Sequence, residues 1–293
     1  MSKARLSWAR QCGERKAKEH GFDTFPIDPF VIASAEDILV VPKRPDQVGV
    51  SGGIIFGDEV GIFYSTDIKS DGFQRFTIGH ELGHYFLDGH PEEILKVAPA
   101  HISRAGFTEG NSAIELEADH FASGLLLPTR LVQAELDREQ IGLEGIEALA
   151  EISKCSLTAS AIRAAECSPY PMAIVMSRSD EVRYAFLSEG FKKLGRLNFL
   201  RRGCALPQTL TRRFNADRVN VEAARRACEL TTLNDWFGSS SQIELDEQVI
   251  GLGEYGFTLT VLTSENLPPD PDEEEDEEAK LIESYRPKFA YGR

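Results

Sequence analysis

Apolar and polar positions follow two different periods along this chain, and the changes of period mark its elements. Residues 1–20 carry charges around a sparse apolar stripe and read as an amphipathic helix. Pro26, Asp28 and Pro29 mark a turn, and Pro29 suits the first turn of a helix over about 29–37. Residues 50–56 and 61–64 are rich in apolar side chains on either side of Gly57-Asp58-Glu59, the pattern of a hairpin. After the loop 65–72, residues 73–88 read as a helix. A loop with Pro91, Pro99 and Gly106 follows, and a helical pattern resumes over 112–127 until Pro128 stops it. Two more helices are expected within 129–165. The pattern changes at Pro169-Tyr170-Pro171: 172–178 and 182–188 read as a second hairpin, with further strands near 243–252 and 257–263. Proline and acid dominate 267–280, a composition that does not pack. The expected class is α+β, in four stretches: 1–130, a helical segment 131–168, a smaller α+β unit 169–265, and an acidic linker and tail 266–293.

Composition narrows the possibilities. The chain has 293 residues, and its apolar runs are far too short to span a bilayer. Its start lacks the apolar core of a signal peptide. Cys12, Cys155, Cys167, Cys204 and Cys228 are odd in number, scattered and never in a C-x-x-C pair, which fits reduced thiols in a cytoplasmic protein. Net charge is -15, so the chain as a whole is a poor partner for nucleic acid. The charge is unevenly spread. Residues 270–278 hold eight acids, whereas 192–226 hold ten basic side chains against Asp217 and Glu222.

Chemistry enters at His80-Glu81-Leu82-Gly83-His84. Two histidines four apart on a helix share a face and can grip one Zn²⁺, and the intervening Glu81 is placed to act as general base. Such a site needs a third protein ligand. His90 lies ten residues after His80, the register of the third histidine in H-E-x-x-H-x-x-G-x-x-H enzymes, but Leu87 stands where that pattern needs its turning glycine. Glu115 is the better match. It shares a helical face with Asp119, so the glutamate can bind metal while the aspartate accepts the far N–H of a ligand histidine. Glu117 faces elsewhere and reads as a solvated or paired carboxylate. Gly79 and Gly83 each cost the helix about 1 kcal/mol, which points to another backbone packed closely there or to a metal face that must stay open. Phe76, Leu82 and Phe86 read as core. His20, His101 and His120 read as surface or satisfied histidines. The donor that stabilises a tetrahedral oxyanion is left open among His90, His101, His120 and Tyr85. An N₂O site does not select zinc uniquely, so Mn²⁺ or another divalent ion stays in play.

The stretch Arg75 to His84, followed by Glu115-Leu-Glu117-Ala-Asp119 and the run to Pro128, resembles the ImmA/IrrE family of metallopeptidases. Pro26-Ile27-Asp28-Pro29, Ser51-Gly52-Gly53, 149–163, 171–188 and 206–211 extend the likeness over most of 20–265. The resemblance implies a zincin-like metallopeptidase core over 1–130. It also implies an intracellular zinc endopeptidase that cleaves a transcriptional repressor in mobile-element or stress regulation. It places metal ligands at His80, His84 and Glu115 and the general base at Glu81. Many relatives carry Asn where this chain has Asp119.

Three further expectations follow. One strand of the 50–64 hairpin is expected to hold a substrate by β-addition. A rival reading takes the protein as a DNA- or anion-binding regulator, through the helix-turn-helix outline of 144–166 or the basic segment. Against it, 144–166 carries four glutamates and only Lys154 and Arg163 as basic residues. A third possibility docks the acidic tail on 192–226, against the simpler reading of a solvated linker.

Overall fold

Leu6–Glu19 forms helix α1, and Pro29–Ala35 forms α2, which Asp28 caps by accepting the Phe30 N–H. The computed structural model describes residues 4–44, 49–103, 112–139 and 141–264. Strands β1 (Leu39–Pro42), β2 (Gly52–Phe56) and β3 (Val60–Tyr64) lead into α3 (Asp71–Phe86), then α4 (His90–Leu95), β4 (Ala100–Ser103) and α5 (Ala113–Leu126). Helices α6 (Thr129–Leu136), α7 (Leu143–Ser153) and α8 (Leu157–Cys167) follow. The remaining elements are β5 (Met172–Arg178), β6 (Glu181–Leu187), α9 (Glu189–Lys192), α10 (Leu210–Ala216), α11 (Arg218–Glu222), β7 (Arg226–Thr232), α12 (Leu233–Phe237), β8 (Glu244–Gly251) and β9 (Thr258–Thr263).

The first sheet has the order β1-β3-β2-β4, with β1 parallel to β3 and β2 antiparallel to both its neighbours. The expected hairpin is β2–β3, with Ile54 opposite Ile62. Both its strands are interior, so their backbone groups are already paired. The expectation that one of them adds an extended substrate is therefore corrected: the edges of this sheet are β1 and β4. Neither was legible, because β1 is only four residues long and mostly exposed, and Ala-His-Ile-Ser in β4 has no apolar run. The loop expected after residue 88 likewise contains α4, and three helices rather than two occupy 129–167.

Close helix contacts aim the ligand-bearing elements at one another. A Cβ added at Gly83 of α3 would lie 3.1 Å from the Ala118 Cα of α5, and one added at Gly79 would lie 3.4 Å from the Ala122 Cβ. Small residues four apart on each helix thus let the two backbones approach. On its other side α5 meets α1 just as closely: a Cβ on Gly13 would overlap the Phe121 carbonyl, and one on Gly124 the Arg10 carbonyl. A core of Ile54, Ile62, Ile78, Leu82, Phe121 and Leu125 fills the space between this sheet and the helices.

The second sheet has the order β6-β5-β9-β8-β7, all antiparallel. Both faces of β5 are covered, which is why six consecutive residues of it are buried and no alternation shows. Met172, Ile174 and Met176 pack with Ile146, Leu149, Ala161 and Ala164 of α7 and α8, while Ala173 and Val175 pack with Phe191, Trp236 and Phe237. The helix-turn-helix outline is thereby spent on packing: Ser160, Ala161, Arg163, Ala164 and Ala165 of α8 are buried. Arg163 is 2% exposed, and its guanidinium is bonded to the Leu127 carbonyl, Thr129, Glu14 and Glu166. It is not available to phosphates. Half of the ten basic side chains of 192–226 are ion-paired, through Lys192–Glu189, Arg212–Asp180, Arg213–Glu229, Arg218–Glu222 and Arg226–Glu147. The acidic tail lies outside the described residues. All five cysteines are free.

Candidate metal centre

Helix α3 starts at Ser70, whose hydroxyl accepts the Phe73 N–H, and Asp71 adds an acid to its positive end. Its residues 77–84 are all buried, because the first sheet covers one side and α5 the other. The helix ends at Leu87, which has an ordinary extended backbone (φ -80, ψ 124). No glycine is needed there, since the chain does not make the sharp turn of a three-histidine pattern.

The buried face of α3 presents His80 and His84 with their Nε2 atoms 3.1 Å apart. Glu115 reaches in from the first turn of α5, one oxygen 3.5 Å from His80 Nε2 and the other 3.4 Å from His84 Nε2. His101 enters from β4, with Nε2 3.1 Å from a Glu115 oxygen. One ligand atom from each of these four residues lies within 4.8 Å of all the others. Donors around a tetrahedral ion with bonds near 2.05 Å stand roughly 3.3 Å apart, so these spacings suit one small divalent cation. The buried atoms Glu81 Oε2, His101 Nε2 and Glu115 Oε1 have no hydrogen-bond partner. Such orphans are expensive unless an ion or water completes them.

Each histidine of α3 is held from behind. His80 Nδ1 lies 2.8 Å from the Asp119 carboxylate. His84 Nδ1 lies 3.2 Å from His90 Nδ1, and His90 Nε2 lies 3.3 Å from the Glu117 carboxylate. Glu117 in turn accepts the Arg5 backbone N–H at 2.9 Å and its guanidinium at 2.8 Å. The protons in this chain have one consistent direction. With Nε2 turned to the cluster, His84 donates from Nδ1, His90 accepts at Nδ1 and donates from Nε2, and Glu117 accepts. Glu81 is fully buried; one oxygen accepts the Ser103 hydroxyl at 2.6 Å and the other is free.

The electrostatics show a cluster that collects positive charge. Burial alone would lower His80, but hydrogen bonds to Asp119 and Glu115 outweigh it and raise the imidazole to about 10. Burial dominates His84 and lowers it to about 3. Glu115 is driven far down: burial opposes this, but His101, His80 and His84 prevail. Burial pushes Glu81 up. His101 is raised, with burial opposing and Glu115 prevailing. Asp119 and Glu115 thus favour positive charge at His80, and Glu115 does so at His101, while burial disfavours it at His84.

Sequence comparison decides which fold carries this cluster. A family model described as the IrrE N-terminal-like domain of the M78 peptidases matches residues 38–163. Over residues 38–163 the chain is similar to that domain. The matched residues have a zincin-like α+β fold and contain β1 to β4 and the cluster. A solved structure titled Mycobacterium tuberculosis transcriptional regulator is similar at a TM-score of 0.56 and 17% identity, covering 87% of this chain and 76% of that one. At that identity the likeness concerns the fold alone. No curated protein matches the chain.

Of the residues singled out from the sequence, His80, His84 and Glu115 come together, Glu81 lies beside them, and Asp119 touches His80. His90 is not among the clustered donors; it backs His84 instead. Glu117 is buried and bonded rather than solvated. His101 is no surface histidine but faces the cluster. Its signal was the His-x-Ser spacing, which puts His101 and Ser103 on one face of a strand. That signal is readable only once β4 is known to be a strand. Tyr85 packs on Phe86 and the core, and His120 is outside the cluster.

Proposed function

We propose that the chain is a metal-dependent endopeptidase with His80, His84 and Glu115 as metal ligands, Glu81 as general base and Asp119 orienting His80. The observation that carries this reading is Glu81. Its carboxylate is fully buried beside three metal-binding side chains, one oxygen fixed by Ser103 and the other without a partner. A carboxylate in that position without a catalytic task would be a heavy cost to stability. The donor set suits Zn²⁺, and Mn²⁺ is the alternative. A bound divalent ion would polarise the scissile carbonyl and acidify water.

The chain's own residues supply the rest. The Ser103 hydroxyl fixes one Glu81 oxygen, which leaves the other to take a proton from water and return it to the leaving amine. Burial raises Glu81 toward the pH at which such transfer is efficient. Among the described residues β4 is paired on one side only, beside the site, and an extended peptide can add to its other side.

The substrate we infer is a DNA-binding repressor. Support comes from the family likeness and from the regulatory title of the structural neighbour. Among the described residues no helix is long and apolar enough to cross a membrane, and the reading places the protein in the cytoplasm with its substrate. In this reading 1–130 is the peptidase core, 131–168 a helical connector, 169–265 a regulatory unit and 266–293 a tail. The test is co-expression with the repressor encoded nearest its gene, comparing wild type with Glu81→Gln. Cleavage by the wild type alone supports the reading; equal cleavage by both removes it.

A further inference from the structure

We propose that His101 is a displaceable fourth ligand that closes the metal centre at rest. The inference rests on the assignment of His80, His84 and Glu115 above, and it adds a residue that changes what the site can do.

Three observations point to it. The first is position. His101 lies opposite Ile54 on β4, and strand alternation gives it the same face as Ser103, whose hydroxyl holds Glu81. One short strand therefore delivers both the clamp on the general base and a fourth nitrogen. The second is geometry. The His101 ring lies 4.4 Å from the His84 ring, and its Nε2 is within 4.8 Å of the ligand atoms of His80, His84 and Glu115. The third is the character of its contact with Glu115. The two atoms are buried and 3.1 Å apart, close enough to shift each other's charge, yet neither makes an aligned hydrogen bond among the described residues. An imidazole donating its proton to a carboxylate at that distance would be aligned with it. Two donors directed at a common cation need not be aligned with each other.

The consequence is functional. Four protein ligands are the mark of a closed zinc site, whereas a hydrolytic one keeps a position free. With His101 in place a bound ion would have no position left for water or a substrate carbonyl. His84 is fully buried and His80 nearly so, whereas the His101 side chain is 20% exposed on a strand with one neighbour among the described residues; Glu115 is 25% exposed, but its two oxygens meet all three histidines. Of the three histidines it is the one best able to leave. A rotation of its side chain opens the site while the other three hold the metal, so the displacing event controls activity.

The test uses full-length protein, stripped and reloaded with Co²⁺, whose visible absorption reports coordination. Wild type is expected to show a four-coordinate spectrum that azide does not change. His101→Ala is expected to gain an azide-dependent shift and to bind Co²⁺ on the order of tenfold more weakly, the scale seen when a supporting contact of a metal site is lost. Circular dichroism checks the fold, and His101→Asn is read in the same way where the alanine variant does not fold. A wild-type spectrum that responds to azide as the variant does, with an unchanged dissociation constant, overturns the proposal. His84→Ala separates the two levels. Loss of Co²⁺ in His84→Ala keeps the three-ligand reading when His101 fails, and retention sinks both.

Discussion

Removing His90 should weaken metal binding more than removing Asp119, although only Asp119 reads from the sequence as support for a ligand. His90 is 1% exposed and links His84 Nδ1 to the Glu117 carboxylate. In His90→Ala the His84 N–H loses its acceptor in a place that solvent barely reaches, at about 1–3 kcal/mol. That corresponds to a factor of roughly 5–150 in the dissociation constant. The space left by the ring admits a water, which would place the loss near the middle of that range, at about tenfold. Asp119 differs because its side chain is 41% exposed. Bulk water can replace it at His80 Nδ1, so Asp119→Ala should cost about threefold. Competition titrations of the stripped proteins with a chromophoric chelator and Zn²⁺ measure both. An unchanged constant for His90→Ala, or a greater loss for Asp119→Ala, would refute the chain of contacts from Arg5 to His84.

Other consequences follow from the same geometry. Glu81→Gln should retain metal and fold while cleavage falls about 10²–10⁴-fold, checked by metal analysis and a peptide assay. Gly83→Ala should lower stability by about 1–3 kcal/mol, because the methyl presses on the Ala118 backbone at 3.1 Å. Gly79→Ala should be close to neutral, since the clearance is 3.4 Å and the helix gains about 1 kcal/mol in propensity. Equal denaturation midpoints for the two variants would contradict this. Metal binding should release a proton. His80 is raised from 6.5 to about 10, so the stripped protein holds that proton between these values. The stability it lends is full below 6.5 and lost as pH rises through about 10. Zinc affinity should accordingly climb about tenfold per pH unit up to that point and then level off. Calorimetry near pH 8 in buffers of different ionisation heat would expose the proton, and identical heats would exclude it.

Legibility in the sequence depended on how local each cause was. The His80–His84 pair and Glu115–Asp119 follow from helical spacing alone, because four residues return to one face. Gly79 and Gly83 announced a close helix neighbour through their cost in propensity, and Ala118 and Ala122 are that neighbour. What stayed hidden depends on contacts between distant segments. The role of His90 requires Arg5 and Glu117, which are 112 positions apart. Glu117, two residues from Glu115, faces away from the cluster yet is sealed by α1, so facing away did not mean facing water. β4 is four residues with no apolar pattern, and its place in the sheet comes from pairing with β2. Misplacing that edge moved the expected substrate groove to the interior hairpin and left His101 among the surface histidines. Over 172–176 the apolar run was read correctly as strand, but only the two cores show why it does not alternate.

The proposed chemistry depends on a divalent ion shared by α3 and α5. Crystals of zinc-loaded protein, with anomalous data on both sides of the zinc edge, test it most directly. One ion is expected about 2.0–2.2 Å from His80 Nε2, His84 Nε2 and a Glu115 oxygen, with His101 as its fourth ligand at rest and Glu81 near it but not bound to it. An ion elsewhere, or none at full loading, would contradict it.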